Sequence, residues 1–474
     1  MTGTVRDESR PATAYQPGST WDEACTEDGA PRAHYAALME ALAGADLGEL
    51  ARKVDSDLHE AGITFGGRAD SRFRVDAVPR ILAPEEWARV ERGLVQRTRA
   101  LAAFVADVYG DRQIVRAGEL PAHVVESAEG FEPWMLGVPM PAGGFVAGLD
   151  LVRGADGDLR VLEDNTRTPS GIEYLLAARA AVDAHLPVAA PESRRDPAIA
   201  HDLLAEMLRL AAPAGVDEPF VVTLTDGPSN SAWWEHRQIA GALEIPLVTP
   251  TDLSVRGGRL HAELDGGRTR TVDVLYRRTD EDRLRDGDGK ATWLAELLLA
   301  PVRRGNLTVV NPFGSGVADD KLVHAYVERM VRFYLGEEPL LRSVPTHDLG
   351  DADVLEAALP RLDELVVKPR SGLGGEGIVV CPHASADDRR AIARTVSGSP
   401  GEWVAQEMVA ISTHPTICDG RLEPRHVDLR PYVIGGDNDA AVVPGGLTRV
   451  AFREGSLVVN SSQNGGGKDT WVLA

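Results

Sequence analysis

Glu163, Asp164, Asn165 and Arg167 lie together in the stretch VLEDNTRTPSG, Val161 to Gly171, directly after an apolar pair. Carboxylate and amide oxygens so close suit a hard divalent cation such as Mg²⁺, with a nucleotide phosphate completing its shell. The run before them, GGFVAGLDLVRGADGDLRVLEDN, reads as two strands around a turn. Asp156-Gly157 is a two-residue hairpin signal, because both central positions of a type I′ turn take positive φ. With that tip, Asp150 faces Glu163 across the hairpin. Asn165, two residues further on, projects from the same face. Opposed carboxylates repel, so a cation between them is expected. The competing reading is a solvated hairpin end, since a one-residue bulge breaks the pairing.

A second stretch, VVKPRSGLGGEGIVV, holds Gly372, Gly374 and Gly377 in a formal G-x-G-x-x-G. A dinucleotide site needs such a loop to open a helix. Here a β-branched run follows, so the stretch reads as a glycine-rich β-hairpin. Backbone N–H groups in such a hairpin can cover phosphates with no side chains in the way. Lys368, on the strand before it, adds a charge; a flexible surface hairpin is the plainer alternative. GGGKDT resembles a phosphate-binding loop only superficially, because Asp469 follows Lys468 where Ser or Thr is required. Arg277 and Arg278 end a buried strand, where open α/β sheets place ligand-binding groups. Asn230, Glu235 and His236 follow another strand end. Asp428 and Arg430 alternate in RHVDLRPYV and are expected to pair. No G-x-S-x-G elbow supports a serine nucleophile, and Cys25 has no nearby His.

The elements that must position these groups form an α/β (α+β) chain. From about Tyr35 to Arg116 the pattern is helical, with Leu94, Thr98, Leu101 and Val105 at three- and four-residue steps. PFVVTLTDG, SAWWEHRQIAGALEI, PLVTP and VDVLYRR alternate strand, helix and strand, the mark of a parallel sheet. KLVHAYVERMVRFYL, from Lys321 to Leu335, reads as one amphipathic helix, and the last hundred residues are β-rich. The domain reading is a poorly ordered segment over 1–34, a helical region over 35–125, a metal-binding part over 126–195, an α/β domain over 196–315 and a nucleotide-clamping part over 316–474.

Composition bounds the function. Of 474 residues, 72 are acidic and 50 basic, for a formal net charge of −22. That field repels phosphate, so neither nucleic acid nor an anionic membrane is an expected partner, although a local basic pocket remains open to a nucleotide. Cys25, Cys381 and Cys418 are too few and scattered for a disulfide framework or a zinc site. With no apolar leader and no membrane-length apolar run, a cytoplasmic location is expected.

Together these segments resemble the circularly permuted ATP-grasp proteins, the group that includes glutathionylspermidine-synthetase-like carboxylate–amine ligases. The resemblance runs from about Ile63 to Ala474. It rests on DAVPRIL, VLEDNTRTPSGIEYLL, GPSNSAWWEH, VDVLYRRTDED, NPFGSGVADDKL, SVPTH, VVKPRSGLGGEGI, VAQEMV, HVDLRPYV, GGLTRVAF and VNSSQNGGGKDTW, in that order. It implies Asp150, Glu163 and Asn165 as Mg²⁺ ligands and Lys321 and Lys368 as nucleotide-binding lysines. It further implies Ser371, Gly372, Gly374, Gly375 and Gly377 as the phosphate-covering loop, and Gln406, Glu407 and Met408 as the hinge beside adenine. Arg430 and Arg449 match basic residues near the phosphates, and Arg167 is placed for a phosphate or a substrate carboxylate. Asn230, Glu235, His236, Arg277 and Arg278 are the implied substrate contacts, with Asn460 beside metal, phosphate or substrate.

The implied reaction joins a carboxylate to an amine at the cost of ATP, through an acyl-phosphate, on an amino acid or small peptide. No enzyme nucleophile is needed for it. A phosphotransferase on the same fold and a non-catalytic nucleotide-binding scaffold are the alternatives. The sequence ends on KDTWVLA, so no further fused domain is expected on this reading.

Overall fold

The computed structural model describes residues 15–66, 72–140, 144–372, 375, 377–436, 439–456 and 465–474. Its strands are β1 (Val75–Leu82), β2 (Val146–Arg153), β3 (Leu159–Asn165), β4 (Val221–Thr225), β5 (Leu247–Val248), β6 (Leu253–Arg256), β7 (Arg259–Leu264), β8 (Arg268–Val272), β9 (Val274–Arg278) and β10 (Thr308–Val310). The second half adds β11 (Thr346–Asp348), β12 (Leu365–Pro369), β13 (Val379–Val380), β14 (Trp403–Glu407), β15 (Thr413–Cys418), β16 (Arg421–Arg430), β17 (Tyr432–Ile434), β18 (Ala441–Val442), β19 (Leu447–Val450) and β20 (Gly466–Val472).

A large mixed sheet in the order β1-β20-β19-β16-β2-β17-β18 forms the floor, with β15 on β16 and β3 on β2. β16 and β17 hold one register against β2, with Leu429 opposite Leu151 and Tyr432 opposite Gly148. The break between them falls at Pro431, which has no N–H to give the ladder. The parallel sheet β10-β9-β4-β5 is the expected α/β layer. Beside it stands an antiparallel sheet, β6-β7-β8, that the sequence reading did not separate. A third lobe carries the antiparallel sheet β11-β14-β12-β13. Its own small core joins Leu365, Val367, Cys381, Ile392 and Ala405.

Three expectations change. The stretch read as helical from Tyr35 contains β1, which pairs parallel with β20. All eight residues of β1, VDAVPRIL, are buried, Asp76 and Arg80 among them, so no two-residue alternation betrays the strand. Residues 15–34, expected to be loose, pack on the floor. Glu23 is 4% exposed and pairs with Arg80 and Arg153. The expected helix from Lys321 to Leu335 is three short pieces, Lys321–His324, Val327–Met330 and a π-helical turn Val331–Leu335. Among the described residues no helix is long and apolar enough to cross a membrane.

Candidate functional site

The β2–β3 hairpin sets the floor of the site. Asp150 does face Glu163, but two deviations cancel to put it there. Gly154 N–H donates to Asp158 O at 3.1 Å, closing a three-residue loop. Of its residues only Gly157 has positive φ, +82°, so the turn is not the expected type I′. A bulge at Leu162 then restores the register between Leu151 and Asp150.

Asp150, 1% exposed, accepts from Arg430 Nε at 2.5 Å and Nη2 at 2.7 Å, and from Arg449 Nη2 at 2.7 Å. Burial would raise its pKa, but the two guanidiniums hold it below the ordinary carboxylate range. Arg449 also pairs with Asp428, which lies directly opposite it between β16 and β19. The expected Asp428–Arg430 pair is thus replaced by two cross-strand pairs. Glu163 is more open, its side chain 30% exposed and 3.8 Å from Lys368 Nζ. Asn165 has a buried Nδ2 with no hydrogen-bond partner. Since amide N and O are exchangeable in placement, an oxygen donor fits there equally well. Hard oxygen donors from Glu163 and Asn165, backed by Asp150, suit Mg²⁺ chemically. Both lone pairs of Asp150 Oδ2 are already given to arginines, which leaves Glu163 and Asn165 as the open donors.

The clamp lobe closes one side. Lys368, on β12, is 5% exposed, and burial lowers its pKa against the pull of Glu163. Lys321 Nζ donates to Gly372 O at 3.1 Å, tying the short helix Lys321–His324 to the glycine hairpin. β12 and β13 pair antiparallel, as a hairpin requires. Gly372, Gly375 and Gly377 have φ of +103°, +83° and +72°, conformations that side chains resist. Gly374 lies outside the described residues, as does Asn460. Gln406 Nε2 donates to Thr346 Oγ1 at 3.0 Å and Leu162 O at 3.3 Å. Glu407 pairs with His347 and Arg361 on the lobe's outside. Met408 follows it at the end of β14 and is half-buried.

The α/β layer closes the other side, and it divides the predicted contacts. Asn230, His236 and Arg278 line the same cavity as Glu163, Asn165, Arg167, Arg430 and Arg449, together with Lys321, Ser371, Gly372 and Gly375. That cavity is about 500 Å³. His236 accepts or donates at Thr225 Oγ1, 2.8 Å away. Burial and Arg278 push its pKa down to about 2, so the ring is neutral. Arg278 holds Pro169 O and Ser170 Oγ, the turn that follows β3. Glu235 and Arg277 do not reach the cavity. Glu235 accepts from the N–H groups of Gly171 and Glu173 at the start of the helix Ile172–His185 and pairs with Arg278. Arg277 donates to the carbonyls of Asn311 and Thr279. Both are framework residues, because a buried charge must spend its hydrogen bonds on whatever surrounds it.

Sequence reasoning missed Asp319, which accepts from Thr166 Oγ1 at 2.6 Å and from Arg167 Nε at 3.2 Å, locking the end of β3. It also missed Arg370, which is bound through Nε and Nη2 to Asp320. Both acids stand in the quoted run VADDKL beside Lys321, which was the available signal. Asp164 points to the opposite face of β3, as the strand period requires. There it meets Arg97 at 2.6 and 2.7 Å and His324 at 2.7 Å.

A mixed floor sheet, an antiparallel lobe with a glycine hairpin and a parallel α/β layer meeting at one cavity define an ATP-grasp-type clamp. The chain belongs to the circularly permuted ATP-grasp type 2 family, whose description matches residues 79–451. It is 45% identical over 97% of its length to a Frankia alni protein provisionally named a glutamate–cysteine ligase, of which it covers 54%. An uncharacterised Synechocystis protein is 40% identical, with 97% of this chain and 98% of that one covered. The chain therefore spans about half the length of the first curated relatives it matches and nearly the whole of others. Among solved structures it is similar in fold to a glutathione synthetase-like effector of Globodera pallida in apo form. The TM-score there is 0.58 at 13% identity, covering 90% of this chain and 96% of that one.

Proposed function

We propose that this chain is an ATP- and Mg²⁺-dependent carboxylate–amine ligase that forms an amide through an acyl-phosphate. The observation that carries the reading is the single cavity joining the Glu163–Asn165 floor, the glycine hairpin and the carboxyl end of the parallel sheet. Such a space holds a nucleotide's phosphate end and a second reactant side by side, which is what phosphoryl transfer asks of a protein. Glu163 and Asn165 would hold Mg²⁺, with Asp150 behind them; when bound, it neutralises charge on the phosphates.

The chain's own residues do the rest. Lys321 and Lys368 supply positive charge from the clamp side, and Lys321 holds the hairpin backbone over the phosphate end. Arg430 and Arg449 are aimed and kept rigid by Asp150 and Asp428. They are ready for charge that spreads over a transferring phosphoryl group, with no reorganisation needed. Arg167, paired with Asp319, is the group this reading assigns to the substrate carboxylate. The neutral ring of His236 and the amide of Asn230 face the same space and suit the amine-bearing reactant. A site shut off from water protects an acyl-phosphate from hydrolysis. The relatives' ligase names agree with this class of reaction, and an amino acid or small peptide is the substrate class they suggest.

The test is nucleotide turnover with pooled carboxylates and amines, read by ADP release and product mass. ADP formed only when both reactants are present, with an amide in the products, supports the ligase. A stable phosphorylated product without an amine would replace it with a phosphotransferase.

A further inference from the structure

Six carboxylates line the cavity, and four of them already face a cation. Glu163 stands before Lys368, Asp164 is gripped by Arg97, Asp319 pairs with Arg167 and Asp320 with Arg370. The other two, Glu129 and Asp280, have no cation partner among the described residues. Glu129 is exposed, with no side-chain hydrogen bond to orient it among those residues. Asp280 is half-buried, and Thr168 Oγ1 donates to its Oδ1 at 3.0 Å.

The position of Asp280 in the chain gives it another use that it does not take. It stands at the N-cap of the 3₁₀ turn Glu281–Leu284, where an aspartate commonly accepts from the first N–H groups of the turn. Its side chain caps none of them. The nearby arginines are engaged elsewhere: Arg278 pairs with Glu235, and Arg283 reaches Asp226 at 3.9 Å. The Asp280 carboxylate is thus turned to the cavity, just past the carboxyl end of β9, where open parallel sheets hold their ligands. A half-buried carboxylate with no counter-charge favours the arrival of a cation. Thr168, which orients it, follows directly on Arg167, the group assigned to the substrate carboxylate. Asn230 and His236, assigned to the amine-bearing reactant, line the same cavity.

We propose that Asp280 binds the ammonium group of the amine-bearing reactant, so that this reactant is a cationic amine such as the amino group of an amino acid or peptide. This rests on the ligase reading of the cavity. Arg167 and Asp280 then hold the two reactants side by side through neighbouring residues, which is the positioning that amide formation needs. The ammonium sheds two protons as it becomes an amide nitrogen. One passes to Asp280 and frees the lone pair that forms the C–N bond. The acyl C–O bond to phosphate breaks, and the second proton leaves on the departing phosphate.

The experiment compares a charged and an uncharged nucleophile. ATP, Mg²⁺ and pooled amino acids are supplied with and without hydroxylamine, which is uncharged at neutral pH and converts an acyl-phosphate to a hydroxamate with no ammonium to bind. Amide and ADP are read in one arm and hydroxamate in the other, for the intact chain, Asp280→Asn and Asp280→Glu. Urea unfolding of each variant checks that it is folded. In Asp280→Asn, amide formation from the pool should fall about ten- to a hundredfold, the worth of one hydrogen bond to a charged group. Hydroxamate formation should fall less than about twofold. Asp280→Glu, which keeps the charge, should recover part of the amide rate. Amide formation unchanged in folded Asp280→Asn overturns the assignment and leaves the ligase reading intact. An equal loss of amide and hydroxamate also overturns it, because Asp280 then serves the carboxylate-bearing reactant or the first step. If the intact chain makes neither product from the pool, the ligase reading fails and this inference with it.

Discussion

Asp150→Asn separates what the floor does for the fold from what it does for chemistry. The wild-type carboxylate takes three guanidinium hydrogen bonds in a site 1% exposed. Asparagine keeps one acceptor oxygen and removes the charge. Arg449 retains Asp428, but Arg430 loses the carboxylate it grips with two nitrogens. Hydrogen bonds to charged groups are worth roughly 1.5–3 kcal/mol each, and breaking a buried pair costs about 3–5. With one acceptor retained, we expect a loss of about 2–4 kcal/mol. Across 474 residues the unfolding entropy is roughly 1 kcal/mol per kelvin, so the melting temperature moves only about 2–4 °C. Urea midpoints are therefore the better assay. Glu163→Gln is the control. Its side chain is 30% exposed and 3.8 Å from Lys368 Nζ, so it should cost under about 1 kcal/mol while abolishing Mg²⁺-dependent turnover. If Asp150→Asn leaves the urea midpoint unchanged, or both variants shift it equally, the arginine network is not holding the floor together.

Three further outcomes follow from the same geometry. Lys368→Ala should weaken ATP binding tenfold or more (on the order of 1.4 kcal/mol), measured by titration; unchanged affinity would remove Lys368 from the nucleotide site. His236 has a folded pKa near 2, far below the ordinary 6.5. As pH falls below 6.5 the unfolded chain takes up this proton first, so stability falls with falling pH. The effect is about 1.4 kcal/mol per pH unit, or about 2 kcal/mol by pH 5. His236→Gln should flatten the urea-stability profile between pH 6.5 and 5 by about that slope; an unaltered slope would contradict it. At Gly171, φ is +135° and an added Cβ would stand 1.8 Å from Tyr432 Oη. Gly171→Ala should lower stability by about 1–3 kcal/mol, and an unchanged urea midpoint would count against the close packing of this turn.

Parts of the site were legible because local chemistry fixes them. The glycine hairpin announces itself by φ-permissive residues before a β-branched run, and the Asp150–Glu163 pairing by the turn signal Asp156-Gly157. The pairing emerged through compensation, since a three-residue loop and a bulge at Leu162 offset each other. Neither leaves a distinct residue signature. Illegible features were those decided by partners far away in sequence. Arg430 is bonded to Asp150, 280 positions earlier, while Asp428 beside it in sequence is taken by Arg449. Arg277 and Glu235 looked like ligand contacts at strand ends, but the carbonyls of Asn311 and Thr279 and the helix start at Gly171 consume their hydrogen bonds. Residues 15–34 looked loose because their composition is polar, yet Glu23 is held by arginines from β1 and β2.

The central claim is that a carboxylate of the substrate takes the γ-phosphoryl group of ATP in this cavity. It is tested most directly by supplying that carboxylate with a heavy-oxygen label and analysing the phosphate released as the amide forms. Label transferred into inorganic phosphate, and lost together with turnover in Glu163→Gln, is the predicted result. Amide formed with unlabelled phosphate, or with label in AMP, would contradict the account.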